Sequence, residues 1–126
     1  MTSMRDPLAT ARGLGSAKDG VNHWWMQRIT AIALLLLSPW FIYFAVGLMG
    51  ADQLSVRAAI AQPLNATLLV SFMIAMLWHA RLGLQVVVED YIHGWQELTL
   101  QLIIKFVYAI AAIAAIIAIG RIVFSD

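Results

Sequence analysis

The chain has 126 residues, of which 62% are hydrophobic and 12% charged, and its formal net charge is +1. Its mean hydropathy is +0.82, whereas soluble domains carry about 25% charged and about 45–50% apolar residues. One globular core could not hide so much apolar surface, so we expect an all-α integral membrane protein. The charge balance gives no reason to expect nucleic-acid binding, and the absence of cysteine excludes disulfide, iron–sulfur and thiolate chemistry in this chain.

Residues 1–28 are expected to form a polar N-terminal tail and an interfacial segment. The first apolar run starts near Ile29, later than the apolar core of a secretory signal peptide would start. The run is also longer than such a core. Residues 29–126 are predicted to form a single transmembrane domain of three helices.

We predict three membrane-spanning helices, at residues 29–49, 65–88 and 98–124. A bilayer core of about 30 Å needs about 20 residues of apolar helix. Pro39 lies inside the first span and should kink it, with the freed carbonyl satisfied by Ser38 or by a neighbouring helix. Residues 50–63 are expected to form a loop with a short interfacial turn, and residues 89–97 a polar connection.

Basic residues near the span ends lie mainly on one side of the membrane. That side holds Arg5, Arg12, Lys18, Arg28 and Lys105. Only Arg57 and Arg121 fall on the opposite side. Because lysine and arginine are enriched on the inside, we expect the N-terminus to be inside and the C-terminus outside.

The second span contains polar residues that lipid does not tolerate easily. An arginine at the centre of a membrane helix costs about 2.5–3.5 kcal/mol, so such residues face a partner or a cavity. At about 100° per residue, two faces separate. One face is a stripe of small side chains around an imidazole, formed by Ser71, Ala75, His79 and Gly83. The other face is a polar seam, formed by Arg81, Gln85 and Glu89.

His79 lies near the bilayer midplane and has two interpretations. It could be a hydrogen-bonded histidine packed between helices. It could also be an axial haem ligand, because neutral imidazole binds haem iron and Ala75 and Gly83 would leave room for a porphyrin edge. One histidine supplies one axial position, so a six-coordinate haem would need a ligand from another chain. This favours a subunit over a complete protein.

Two further positions at the inner interface also have alternatives. Arg28 is either a snorkelling anchor or a partner for an anion such as a haem propionate. Asp90 and Tyr91 either end a helix in water or face a small polar ligand at the membrane boundary, and spacing alone favours the helix end.

Three stretches of the sequence, taken together, resemble one protein family. They are Arg28-Ile29-Thr30-Ala31, His79 with Gly83, and Asp90-Tyr91-Ile92-His93. The chain is similar to the smaller hydrophobic membrane anchor subunit of succinate dehydrogenase (complex II), in its alphaproteobacterial and mitochondrial branch. The resemblance covers approximately residues 15–124. It implies half of a heterodimeric haem-binding helix bundle in a bacterial inner membrane, with a cytoplasmic N-terminus and a periplasmic C-terminus.

The resemblance also implies partners, cofactors and residue roles. The partners would be a cytochrome b-type anchor subunit, an iron–sulfur subunit and a flavoprotein subunit. His79 would be one axial ligand of haem b and Arg28 would approach its propionates. Tyr91 would donate a hydrogen bond to ubiquinone, and Asp90 would help to form the same site. The chain would not be catalytic alone, and its complex would serve the tricarboxylic acid cycle and aerobic electron transport.

Rival interpretations remain at this point. The nearest is the membrane anchor of a fumarate reductase, with similar architecture and opposite flux. Another is a small non-haem helical assembly or transport protein, with His79 and Arg81 in a polar seam. A stand-alone haem protein is disfavoured by the single intramembrane histidine. The role of Arg81 stays open between a propionate partner and a seam contact.

Overall fold

The computed structural model describes residues 7–8 and 18–125, with side chains in the second range from residue 20 onward. Within that range the helices are α1 (Lys18–Gly47), α2 (Gln53–Ala61), α3 (Pro63–Tyr91) and α4 (Trp95–Phe124). No strand occurs in these ranges, so the all-α prediction is confirmed. Most of the predicted N-terminal tail lies outside the described residues.

Three of these helices are long and apolar enough to cross a bilayer, counted over the described ranges: Gly20–Gly47, Pro63–Tyr91 and Trp95–Phe124. At about 1.5 Å per residue, the 30 residues of α4 extend about 45 Å, which exceeds the hydrocarbon thickness. The ends of each long helix therefore project into the interfacial regions.

Pro39 lies inside α1, and the helix continues through it to Gly47. The Ser38 hydroxyl makes no hydrogen bond with the described residues, so the expected contact of Ser38 with the freed carbonyl is not observed.

The two connections between the long helices differ in length: residues 48–62 include α2, whereas residues 92–94 form a tight turn. Gly50 has a φ of 81° and Gly94 a φ of 76°, the left-handed region that favours glycine at tight turns. Asp52 precedes the short helix α2 and accepts a hydrogen bond from Ser55, which holds the pKa of the Asp52 carboxyl below its usual value. Pro63 begins α3, where its missing N–H leaves no intrahelical bond unmade.

Helix α3 lies in the middle of the domain. Helices α1 and α4 each pack against α3, and within the described range they do not contact one another. Phe41 of α1 stacks on Phe72 of α3 with ring centroids 4.4 Å apart. The buried side chains lie mainly on α3: Ala66, Leu69, Phe72, Ala75, Leu82 and Val88, with Thr30 on α1 and Ile104 on α4. The faces of α1 and α4 that point away from α3 are exposed.

Candidate functional site

The imidazole of His79 lies in the seam between α1 and α3. Its Nδ1 is 2.9 Å from the hydroxyl oxygen of Thr30 on α1. Thr30 is only 7% exposed and is the buried polar side chain of the described interior. The contact fixes the level at which the two antiparallel helices meet, about half-way along α3.

The Thr30 hydroxyl also makes hydrogen bonds within α1. Its hydroxyl oxygen is 2.8 Å from the carbonyl oxygen of Met26 and 3.1 Å from that of Gln27. A threonine hydroxyl has one proton to donate, and two helix carbonyls compete for it. The hydroxyl oxygen is then left to accept the Nδ1–H of His79. This arrangement favours the tautomer whose lone pair is on Nε2.

The Nε2 atom of His79 is open to a further partner. It makes no hydrogen bond with residues 20–125. It is also not one of the fully buried side-chain atoms that lack a partner. A side-chain carbon added at Gly83, one turn away, would meet no atom within 4 Å. Ala75 is buried, whereas Ser71 is exposed and His79 and Gly83 are half-buried. The small-residue stripe is therefore partly exposed, and Nε2 of His79 lies on it with its lone pair available.

These residues fit a haem. Iron needs a neutral imidazole with a free nitrogen, and a second hydrogen bond that orients the ring is typical of such ligands. The open space beside Gly83 suits a planar ring. No group of three or more His, Cys, Asp or Glu side chains that could hold a bare metal ion occurs in the described part of the chain.

Two neighbours of His79 could not be identified from the sequence. His23 Nε2 is 3.3 Å from the carbonyl oxygen of Leu82, which ties the start of α1 to α3. The Oε1 atom of Gln27 is buried and has no hydrogen-bond partner among residues 20–125. No sequence signal marks the His23 contact or the burial of Gln27 Oε1, because both depend on how α1 and α3 pair.

Arg28 does not contact His79. It is exposed, and its guanidinium carbon lies 5.3 Å from the centroid of the Trp24 ring, in cation–π geometry. Trp24 in turn meets Trp25 edge to face at 5.1 Å. The charged group is therefore presented outward at the membrane interface, where an anion from another molecule can approach.

Asp90 and Tyr91 lie at the end of α3. The helix continues to Tyr91, so Asp90 keeps the face of His79, about 16 Å along the axis. Both side chains are exposed, Tyr91 by 81%. The chain does not bring them into contact with Arg28, and any ligand held there would be completed by another surface.

Arg81 faces the opposite side of α3. It lines a cleft with Lys105 and Tyr108 of α4, whereas His79 faces α1. Arg81 therefore lies at the seam between α3 and α4, on the side of α3 away from His79. The polar seam itself is present, since Gln85 donates to Glu89 and Gln101 of α4 donates to the Gln85 carbonyl.

Fold and site together define a class of protein: a helical membrane protein with a histidine, His79, whose Nε2 is unbonded at the seam between two spans. The sequence matches the succinate dehydrogenase/fumarate reductase transmembrane subunit family over residues 2–118. It is 38% identical over 116 residues to the succinate dehydrogenase hydrophobic membrane anchor subunit of Rickettsia bellii, which covers 91% of this chain and 93% of the relative. Identity to the subunit of the same name from Paracoccus denitrificans is 30% over 116 residues, or 91% and 89% of the two chains.

The chain therefore belongs to the succinate dehydrogenase/fumarate reductase transmembrane subunit family, among the hydrophobic membrane anchor subunits. This confirms the resemblance predicted from the three stretches of sequence. No solved structure matches the chain.

Proposed function

We propose that this chain anchors a succinate:ubiquinone oxidoreductase to a bacterial inner membrane, co-ligates haem b through His79 and contributes to the quinone site. The family membership supports the anchor role, and the relatives' names favour the succinate-oxidising direction over fumarate reduction. Such a complex would serve the tricarboxylic acid cycle and aerobic electron transport.

The observation that carries the haem proposal is the pairing of His79 with Thr30. It leaves Nε2 unbonded beside the open space at Gly83. When bound, the haem would exchange single electrons. The protein's part is to orient the imidazole through Thr30, and to supply a partner for the propionates at Arg28. The second axial ligand would come from a cytochrome b-type subunit packed on the exposed side of the α1–α3 seam.

The quinone proposal rests on Asp90 and Tyr91. Reducing a quinone consumes two electrons and two protons. The Tyr91 hydroxyl can donate to a quinone carbonyl oxygen as negative charge develops there, and the Asp90 carboxyl can relay protons from interfacial water. Both side chains are exposed at the end of α3, where iron–sulfur and flavoprotein subunits on the same side could deliver electrons.

The experiment that tests the haem proposal compares two histidine substitutions in the purified complex. We expect His79→Ala to remove most of the haem b, measured as haem per covalently or tightly bound flavin. His93→Ala is the matched control, because His93 is exposed in the turn before α4 and should leave haem content unchanged.

An unchanged ratio of haem to flavin in the His79→Ala complex would contradict the ligand assignment. A loss that occurs equally in both variants would point to impaired assembly instead of a missing ligand.

A further inference from the structure

A second charged site lies on the face of α3 that does not carry His79. Gln101 of α4 donates to the Gln85 carbonyl of α3 at 3.4 Å, which sets the register of these antiparallel helices. One turn further from the α3–α4 connection, this register pairs Arg81 with Lys105. Both line one cleft of about 150 Å³. Two cations thus share a cleft between two membrane-spanning helices.

Neither cation has a counter-charge among the residues that the structure describes. Arg81 and Lys105 make no hydrogen bond or ion pair with any residue in the described ranges. The other lining residues carry no acid: Ile74, Leu77, Trp78, Tyr108, Ala109 and Ala112. Glu89, eight residues from Arg81, accepts a hydrogen bond from Gln85, and Glu97, eight residues from Lys105, makes no ion pair with it. Two like charges placed together in lipid repel one another and are costly unless an anion lies between them.

The pair lies about 6 Å from the middle of each helix, toward the α3–α4 connection, so its charged groups approach the polar boundary of that leaflet only through extended side chains. Ten residues separate Arg81 from the end of α3 at Tyr91, and ten separate Lys105 from the start of α4 at Trp95. Each Cα is therefore about 15 Å from its helix end, and both long side chains can extend toward the α3–α4 connection. Arg81 is half-buried and Lys105 is exposed, so the cleft is open to lipid.

We propose that Arg81 and Lys105 bind the phosphate of an anionic phospholipid in the leaflet on the side of the α3–α4 connection. The guanidinium and ammonium groups would donate charge-assisted hydrogen bonds to the phosphate oxygens. An acyl chain would lie along the apolar floor of the cleft, at Ala109 and Ala112. A net anionic headgroup is preferred because two cations face a single phosphate.

The position of the cleft favours lipid over a protein carboxylate. His79 faces α1 and the open seam, so a subunit that completes a site there packs on that side. Arg81 points to α4, across the helix. This inference uses none of the residues assigned to haem or quinone, but the choice of lipid over a protein carboxylate rests on the proposed packing of a partner subunit beside His79.

The test measures phospholipid retention by the purified complex in nanodiscs and by native mass spectrometry after detergent washing. The wild-type complex should retain phosphatidylglycerol in preference to phosphatidylcholine. In the double variant Arg81→Gln with Lys105→Gln, retention of phosphatidylglycerol should weaken by about tenfold or more, since charge-assisted hydrogen bonds are lost. The exchange of Arg81→Lys with Lys105→Arg keeps both charges and should stay within about twofold of wild type.

An equal loss of charge elsewhere serves as the control. Arg12→Gln with Lys18→Gln removes two cations near the N-terminus and should leave phosphatidylglycerol retention unchanged. Unchanged retention in the Arg81 and Lys105 double variant would overturn the proposal and point to a carboxylate from another subunit. Displacement of the lipid by inorganic phosphate would overturn it in favour of a free anion.

If the double variant does not assemble, the test rests on the lipid preference of the wild-type complex. Equal retention of phosphatidylglycerol and phosphatidylcholine by that complex would overturn the proposal.

Discussion

Thr30 and His79 show how one hydrogen bond can set the chemistry of a ligand. The hydroxyl of Thr30 is directed to helix carbonyls, so its oxygen accepts from Nδ1 of His79 at 2.9 Å. A histidine whose Nδ1–H is bonded in this way leaves the lone pair of Nε2 available. The orientation of the ring is fixed by a neighbouring helix before any ligand arrives.

Thr30→Val keeps the size of the side chain but removes the hydroxyl. We expect haem to bind about 10–100-fold more weakly, because such supporting hydrogen bonds contribute that much to metal affinity. The buried Nδ1–H would also lose its acceptor, which costs about 1–3 kcal/mol of stability. Haem dissociation from the purified complex, followed by absorbance, measures the effect.

Thr30→Ser retains the hydroxyl and should behave like wild type in the same assay. If the valine and serine variants release haem at equal rates, the hydrogen bond has no part in holding the ligand.

Tyr91→Phe tests the quinone contact at the end of α3. Loss of one hydrogen bond to a carbonyl oxygen should lower kcat/KM for ubiquinone by about three- to tenfold, with the haem spectrum unchanged. Tyr43→Phe is the matched control, because Tyr43 and Tyr91 are both 81% exposed at opposite ends of the domain. Steady-state turnover at limiting ubiquinone separates them, and equal activity of both variants would argue against a role for Tyr91.

At the scale of the elements, the sequence predicts the helices well and their pairing poorly. The three predicted spans overlap α1, α3 and α4, because apolar runs of this length form helices in lipid, although α1 begins eleven residues before its predicted span and ends two residues before that span ends. The two faces of α3 also follow from helical periodicity. The contacts of Thr30, His23 and Gln101 depend on the register between helices, which no property of a single segment encodes.

The same limit applies to the surroundings of Arg81. Its position on a face different from that of His79 could be read from the spacing of two residues. Which helix would cover that face could not, because α1 and α4 are both apolar and of similar length. The structure places α4 there, beside Lys105.

Gly83→Ala tests the open space on α3. Alanine in place of glycine inside a helix stabilises it by about 0.5–1 kcal/mol, and no atom lies within 4 Å of the added carbon in this chain. If a porphyrin occupies that space, the variant should bind less haem even though its helix is more stable. The ratio of haem to flavin and the Tm of the complex report the two effects separately.

Gly120→Ala is the control on α4, since its added carbon also meets nothing within 4 Å. It should raise helix stability without changing haem content. Normal haem content in the Gly83→Ala complex would place the porphyrin elsewhere.

At the scale of the whole molecule, α3 is sandwiched between α1 and α4 and the outer faces stay open. The half-buried His79, the exposed Tyr91 and the outward-facing Arg28 all lie at surfaces that this chain does not complete. The open faces accord with an anchor subunit that associates with the other subunits of its complex, as the family membership indicates.

The predicted orientation can be tested because the chain contains no cysteine. His93→Cys and Ser125→Cys introduce single thiols at exposed positions at opposite ends of the domain. The excess of basic residues on the N-terminal side predicts that a membrane-impermeant maleimide labels Ser125→Cys in intact spheroplasts. His93→Cys should react only in inverted vesicles, and the reverse pattern would contradict a cytoplasmic N-terminus.

The most direct test of haem ligation is the dithionite-reduced minus oxidised absorbance spectrum of the intact assembly, purified through a tag on this chain. We predict the bands of a six-coordinate b-type haem, together with a flavin-carrying subunit in the same fraction. A preparation that contains the flavoprotein but gives a flat difference spectrum in the visible region would contradict the assignment of His79 as an iron ligand.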